Sequence, residues 1–167
     1  MTPLVYNADD ESATEALGAA LADVLPEGTT VALSGTLGAG KTRLVQAIAA
    51  ALGIDRRDVL SPTFVLIGEH HGRRTLYHID AYRLASQAEF QALGADEYFE
   101  SDALVLIEWA DRIPDCLPRD RLEIHIEVTG PSSRRFKIGA IGRFDSAAIE
   151  GLGRALGRIR RGAGPPS

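Results

Sequence analysis

At 167 residues with 45% hydrophobic content, the chain is the size of one domain and long enough to bury a sheet under helices. A net charge of −5 argues against coating nucleic acid by bulk electrostatics, so direct RNA binding is not expected. Cys116 is the single cysteine, which excludes an internal disulfide and points to a reducing compartment; with no run of about eighteen apolar residues and no charged-then-apolar leader, the expected location is cytoplasmic.

The pattern then alternates strand and helix. Residues 3–7 read as a first strand, and residues 12–25 as a helix opened by a capping box in which Ser12 is followed three residues later by Glu15. Residues 30–34 are a short β-prone apolar run, and residues 42–52 place Leu44, Val45, Ile48 and Leu52 at the spacing of one helix face. Between them, Gly35-Thr36-Leu37-Gly38-Ala39-Gly40-Lys41-Thr42 fits the pattern G-x-x-x-x-G-K-[ST]. Strand, glycine loop and helix, in that order, make this pattern a phosphate site. Loop amides across Leu37, Gly38, Ala39 and Gly40 can curl around the β- and γ-phosphates of a nucleotide, and the helix N-terminus adds partial positive charge. Lys41 supplies a full charge, and the Thr42 hydroxyl can ligate Mg²⁺. A glycine-rich turn that only caps a helix is the plainer alternative; with glycine near ~7% of ordinary sequence, four specified positions rarely coincide by chance.

Beyond the loop, residues 64–71 and 74–80 read as two strands around the turn His71-Gly72-Arg73. Ser86 and Glu89 form a second capping box, opening a short helix that ends near Gly94. Residues 103–107 form a continuous apolar run, as expected for a parallel strand buried on both faces. Residues 121–129 alternate apolar and polar side chains, residues 134–141 are the expected hairpin partner, and residues 145–159 close the chain as a helix. Arg154, Arg158, Arg160 and Arg161 read as a solvated helix end. The expected fold is α/β, a P-loop NTPase-like sandwich with a central, mostly parallel sheet and an antiparallel β-hairpin extension. A single domain over residues 1–161 would be followed by a flexible tail at 162–167.

In such sheets ligands bind outside the carboxyl ends of the strands. Glu108 ends the buried run, where a carboxylate can hold Mg²⁺ directly or through water; Asp80 ends residues 76–79 and is its rival for the metal, or a group that orients attacking water. His78, two residues earlier on the same face, reads as a satisfied structural histidine. Arg83 meets either the γ-phosphate or an acid on the next helix. From spacing alone, Ser61-Pro62-Thr63 is an ordinary turn. The four histidines and Cys116 lack metal-ligand spacing, so zinc is not expected.

The segments GTLGAGKT, SPTF, HIDAYRL and LIEW, in this order and approximate spacing, resemble the bacterial TsaE family, formerly YjeE, over roughly residues 12–128. The resemblance implies a small P-loop ATPase required for threonylcarbamoyladenosine modification of tRNA next to the anticodon, working with TsaD and TsaB and touching tRNA only through that complex. It also implies that Lys41, Asp80 and Glu108 carry catalysis, that Thr42 and Glu108 serve Mg²⁺, and that Thr63 belongs to a switch. Trp109 would lie near the nucleotide or a partner surface, and Glu11 and Thr14 would face the adenine. Two departures are visible: Thr36 where the family often has aspartate, and Ala110 where proline often follows the tryptophan.

Three rival readings use the same loop. A small-molecule kinase needs an arginine-bearing helical lid, but the late chain reads as a β-hairpin. A GTPase needs an Asn-Lys-x-Asp guanine reader, and the only lysine besides Lys41 is Lys137, preceded by Phe136. A nucleotide-gated binding module with incidental hydrolysis would carry the same site residues.

Overall fold

The computed structural model describes residues 3–59 and 67–162, with side chains through Arg158 in the last helix. Thr63 and the rest of the 61–63 segment lie outside the described residues, as does the tail from 163 onward. The strands are β1 (Leu4–Ala8), β2 (Thr30–Gly35), β3 (Ile67–His71), β4 (Thr75–Asp80), β5 (Leu104–Glu108), β6 (Arg121–Val128) and β7 (Arg134–Ile141). The helices are α1 (Glu11–Val24), α2 (Lys41–Ala51), α3 (Gln87–Gln91), α4 (Asp96–Phe99) and α5 (Ser146–Gly162).

The seven strands of the described residues form one sheet in the order β1-β7-β6-β2-β5-β4-β3. The central block β6-β2-β5-β4 is parallel throughout. β7 runs antiparallel to both β6 and β1, which turns β1 back into the common direction, and β3 runs antiparallel to β4. Five of the seven strands therefore point one way, and the β6-β7 hairpin is the expected antiparallel extension.

α1, α2 and α5 cover one face. Leu17, Leu21, Leu44, Ile48 and Leu152 pack there against Leu33, Leu106, Ile124 and Phe136 from the sheet. On the other face, Phe90, Ala95, Ala110 and Ile113 pack over Ala32, Ile79, Val105 and Ile107. All five residues of β5 are buried, as its unbroken apolar run requires. Leu33 and Leu106 are 0% exposed, so truncating either to alanine would cost about 2–5 kcal/mol.

Three local features differ from the expectation. α1 starts earlier, with Asp10 as its cap: the Asp10 carboxylate accepts the Ala13 N–H at 2.9 Å. Asp caps as well as Ser does, and Glu15 is drawn away from any capping box by a bidentate pair with Arg56 at 2.9 and 3.0 Å. α5 runs through Gly162, one residue into the expected tail. Gly72 serves close approach: an added Cβ would stand 2.2 Å from the Leu52 carbonyl oxygen, and that oxygen accepts the Arg73 N–H at 2.8 Å. The β3-β4 turn is thereby held against the end of α2. Ser86 caps α3 as expected, accepting the Glu89 N–H at 3.2 Å, while Glu89 accepts the Ala85 N–H at 2.8 Å.

Candidate functional site

The strand order brings the carboxyl ends of β2, β5 and β4 side by side, with Leu33 in register with Glu108 and Glu108 in register with Asp80. β2 runs directly into the glycine loop. Gly35, Gly38 and Gly40 all have positive φ, at 150°, 76° and 108°. Only glycine takes such angles without strain, and it lets the chain curl before α2 starts at Lys41. A cavity of about 290 Å³ opens here, bounded by Leu37, Gly38 and Gly40 of the loop, Lys41 and Thr42 of α2, and Asp80, Glu108 and Trp109 at the strand ends. Ala39 is fully buried beneath the loop.

Lys41 is only 4% exposed. Its ammonium donates to the carbonyls of Gly35 and Thr36 at 2.8 and 2.9 Å and lies 3.8 Å from the centroid of the Trp109 ring. Burial pushes its pKa below the usual lysine value, against the opposing pull of Glu108, Asp111 and Asp80. The Thr42 hydroxyl donates to Glu108 Oε1 at 2.7 Å. Glu108 is 2% exposed, and its Oε2 meets Nε2 of the fully buried His78. A reading of His78 as a locally satisfied histidine misses this reach across strands.

Asp80 accepts the Tyr82 N–H at 2.9 Å. Burial holds its carboxyl above the ordinary aspartate value; the Tyr82 N–H opposes the shift, and the Glu108 charge adds to it. The Ala81 N–H donates to the Glu108 carbonyl at 3.0 Å, which ties the two strand ends together. Trp109 follows with φ 58° and ψ 37°, the only positive φ outside glycine among the described residues. Such a conformation costs about 1–3 kcal/mol. It turns the chain into a 3-10 turn at Ala110–Arg112 and sets the indole over Lys41 and 4.9 Å from the Tyr82 ring. Ala110 is buried in that turn.

Arg83 also lines the cavity. Glu11 and Thr14 do not: Glu11 pairs with Arg43, the neighbour of Thr42, at 2.5 Å, and Thr14 is buried within α1. Arg134 was not foreseen. From the first position of β7 its guanidinium donates to the Ala39 carbonyl at 2.9 Å and to the Gly130 and Ser133 carbonyls at 3.1 and 2.8 Å, clamping the loop from below. Nothing local in the sequence marks it, because only the β6-β7 pairing brings it to the loop.

Two acidic side chains, a hydroxyl and a buried cation at a helix N-terminus are the groups here that could hold a polyphosphate and a hard divalent cation. The available donors are all oxygens and few in number, which suits Mg²⁺, an ion that keeps several waters and shares substrate phosphates. Among the described residues no helix is long and apolar enough to cross a membrane.

The family model for Threonylcarbamoyl adenosine biosynthesis protein TsaE matches residues 8–136. The tRNA threonylcarbamoyladenosine biosynthesis protein TsaE of Bacillus subtilis is 37% identical over 155 residues, covering 92% of this chain and 96% of that protein. Its counterpart in Treponema pallidum is 40% identical over 121 residues, 72% of this chain and 89% of that protein. The crystal structure of Bacillus subtilis YdiB superposes with a TM-score of 0.77 at 33% identity, covering 92% of this chain and 97% of that one.

Proposed function

The chain belongs to the TsaE family and takes part in threonylcarbamoyladenosine biosynthesis, and on that footing we propose that it is a Mg²⁺-dependent ATPase that acts on or gates a TsaD-TsaB complex in the cytoplasm. The observation that carries the reading is the 2.7 Å bond from Thr42 to the buried Glu108, set at the mouth of a glycine loop whose lysine is also buried.

In this reading the loop amides and the N-terminus of α2 hold the β- and γ-phosphates, and the Lys41 ammonium exchanges its two carbonyl acceptors for phosphate oxygens. Thr42 offers its hydroxyl oxygen to Mg²⁺, and Glu108 supports it through the Thr42 proton or through water. When bound, the metal neutralises charge on the transferred phosphoryl group. Asp80 orients the attacking water and receives its proton, a role helped by a carboxyl already pushed upward by burial. Glu11 and Thr14 are assigned to the adenine side and Thr63 to a γ-phosphate-sensing switch. The short helices α3 and α4 and the β6-β7 hairpin give no support to a kinase lid.

The test is phosphate release from ATP and GTP, with and without TsaD and TsaB, beside co-purification of those proteins in ATP, ADP and no nucleotide. The expected result is slow, ATP-selective hydrolysis and capture that depends on the nucleotide state. Equal failure to capture in all three states would count against the partner assignment, and absence of turnover in every mixture against the ATPase.

A further inference from the structure

His78 is 0% exposed, on β4 two residues before Asp80, yet it does not line the cavity. Its Nε2 meets Glu108 Oε2, and its Nδ1 has no hydrogen-bond partner among the described residues. A leucine or methionine could fill the same space without stranding a ring nitrogen, so packing alone does not explain an imidazole here. What the imidazole does contact is the oxygen of Glu108 that Thr42 leaves free.

Resting on the Mg²⁺-nucleotide reading above, we propose that His78 is a positioning residue for that site: its Nε2–H donates to Glu108 Oε2, and the carboxylate so fixed holds the Thr42 hydroxyl with its lone pairs toward the cavity. The sheet sets the geometry. Asp80 is in register with Glu108, and the Ala81 N–H closes on the Glu108 carbonyl, so the reach from β4 to the carboxylate is built into two paired strands. With only the Thr42 proton to hold it, a carboxylate is free to turn about its last torsion, and the hydroxyl would turn with it. Two donors on opposite oxygens remove that freedom, as outer partners do for metal-holding groups elsewhere. The tautomer follows as well: a proton on Nδ1 would be a buried donor with no acceptor, whereas the Nε2–H form strands only a lone pair.

Two amide variants separate positioning from packing. In His78→Gln the side-chain N–H reaches about as far as Nε2, and in His78→Asn the same group falls one methylene short. ATP affinity is measured by calorimetry in Mg²⁺ and in EDTA, and the ratio of the two affinities is the readout. Long-range ¹H–¹⁵N spectra of the nucleotide-free wild type report the tautomer. We expect His78→Gln to keep the ratio within about threefold and His78→Asn to lower it about tenfold or more, with affinity in EDTA unchanged in both. The wild-type spectrum should show Nε2 protonated. A wild-type ratio in His78→Asn, an equal loss in the two variants, or a proton on Nδ1 would each overturn the proposal, and the spectrum decides if neither variant folds. A wild type whose ATP affinity ignores Mg²⁺ would instead overturn the nucleotide reading itself, leaving the tautomer to be judged separately.

Discussion

The Lys41 ammonium lies 3.8 Å from the centroid of the Trp109 ring while donating to the Gly35 and Thr36 carbonyls. The residue assigned to the phosphates is thus also a cation on the face of the chain's one tryptophan, nearer to it than Arg112 at 5.9 Å. Phosphate oxygens that accept the Lys41 hydrogen bonds change the field at that face. Trp109 emission should shift with Mg-ATP, and shift differently with Mg-ADP. Trp109→Phe should silence the signal and cost about 0.5–2 kcal/mol of ATP affinity, the scale of a cation–π contact. Emission indifferent to saturating nucleotide would separate Trp109 from the site.

Asp80 gives a prediction with two opposite signs. Its carboxyl sits above the ordinary value in the folded protein, chiefly through burial. The folded state therefore holds that proton more tightly than the unfolded chain does. Its contribution to stability is present at low pH and is lost as pH rises through the raised value, so at neutral pH the ionised group weighs against the fold. Asp80→Asn should raise the melting temperature at pH 7, at roughly 2–4 °C per kcal/mol, and keep the Tyr82 contact through its amide oxygen. It should also leave ATP bound while slowing turnover on the order of 10² or more. In the wild type the acid limb of turnover should lie above the usual aspartate value. A destabilised Asp80→Asn with wild-type turnover would refute the assignment.

Glu108→Gln should behave in the opposite sense. Glutamine offers one acceptor and one donor where Glu108 presents two acceptors, to Thr42 and His78, so a buried polar group loses its partner. A loss of about 1–3 kcal/mol in stability is expected, together with a weaker response of ATP affinity to Mg²⁺. Chemical denaturation and calorimetry check both; an unaltered Mg²⁺ response would transfer the metal role to Asp80.

Arg134→Ala removes the guanidinium that holds the Ala39 carbonyl and two carbonyls of the β6-β7 turn. With its floor loosened, the loop should bind ATP about tenfold more weakly, equivalent to 1.4 kcal/mol. Titration of the variant decides this, and unchanged affinity would mean that the glycine loop holds its shape unaided.

The strands and the loop were legible because each is written in a short contiguous stretch: the buried run that became β5, the alternation of β6, and the glycines ahead of Lys41. The two strand-end acids were legible for the same reason, since a carboxylate after an apolar run marks the rim of a parallel sheet. Four features were not. Asp10 and Ser12 are equally competent caps, and the choice between them turns on Glu15 finding Arg56 on a distant segment. The Arg134 clamp and the His78–Glu108 bond exist only through strand pairing, which no local pattern encodes. The left-handed turn at Trp109 breaks the rule that such positions favour glycine, so it too was invisible before the fold was known.

The central claim, that the loop from Gly35 to Thr42 is an ATP site, is tested most directly by calorimetric titration of Mg-ATP into the wild type and Lys41→Ala. Lys41 carries the full charge at the floor of the cavity, and among the described residues no other that bounds the loop places a buried cation there. The account predicts saturable binding of one ATP per chain by the wild type and no measurable heat from a folded Lys41→Ala. Equal affinity in the two proteins, or no binding by either, would contradict it.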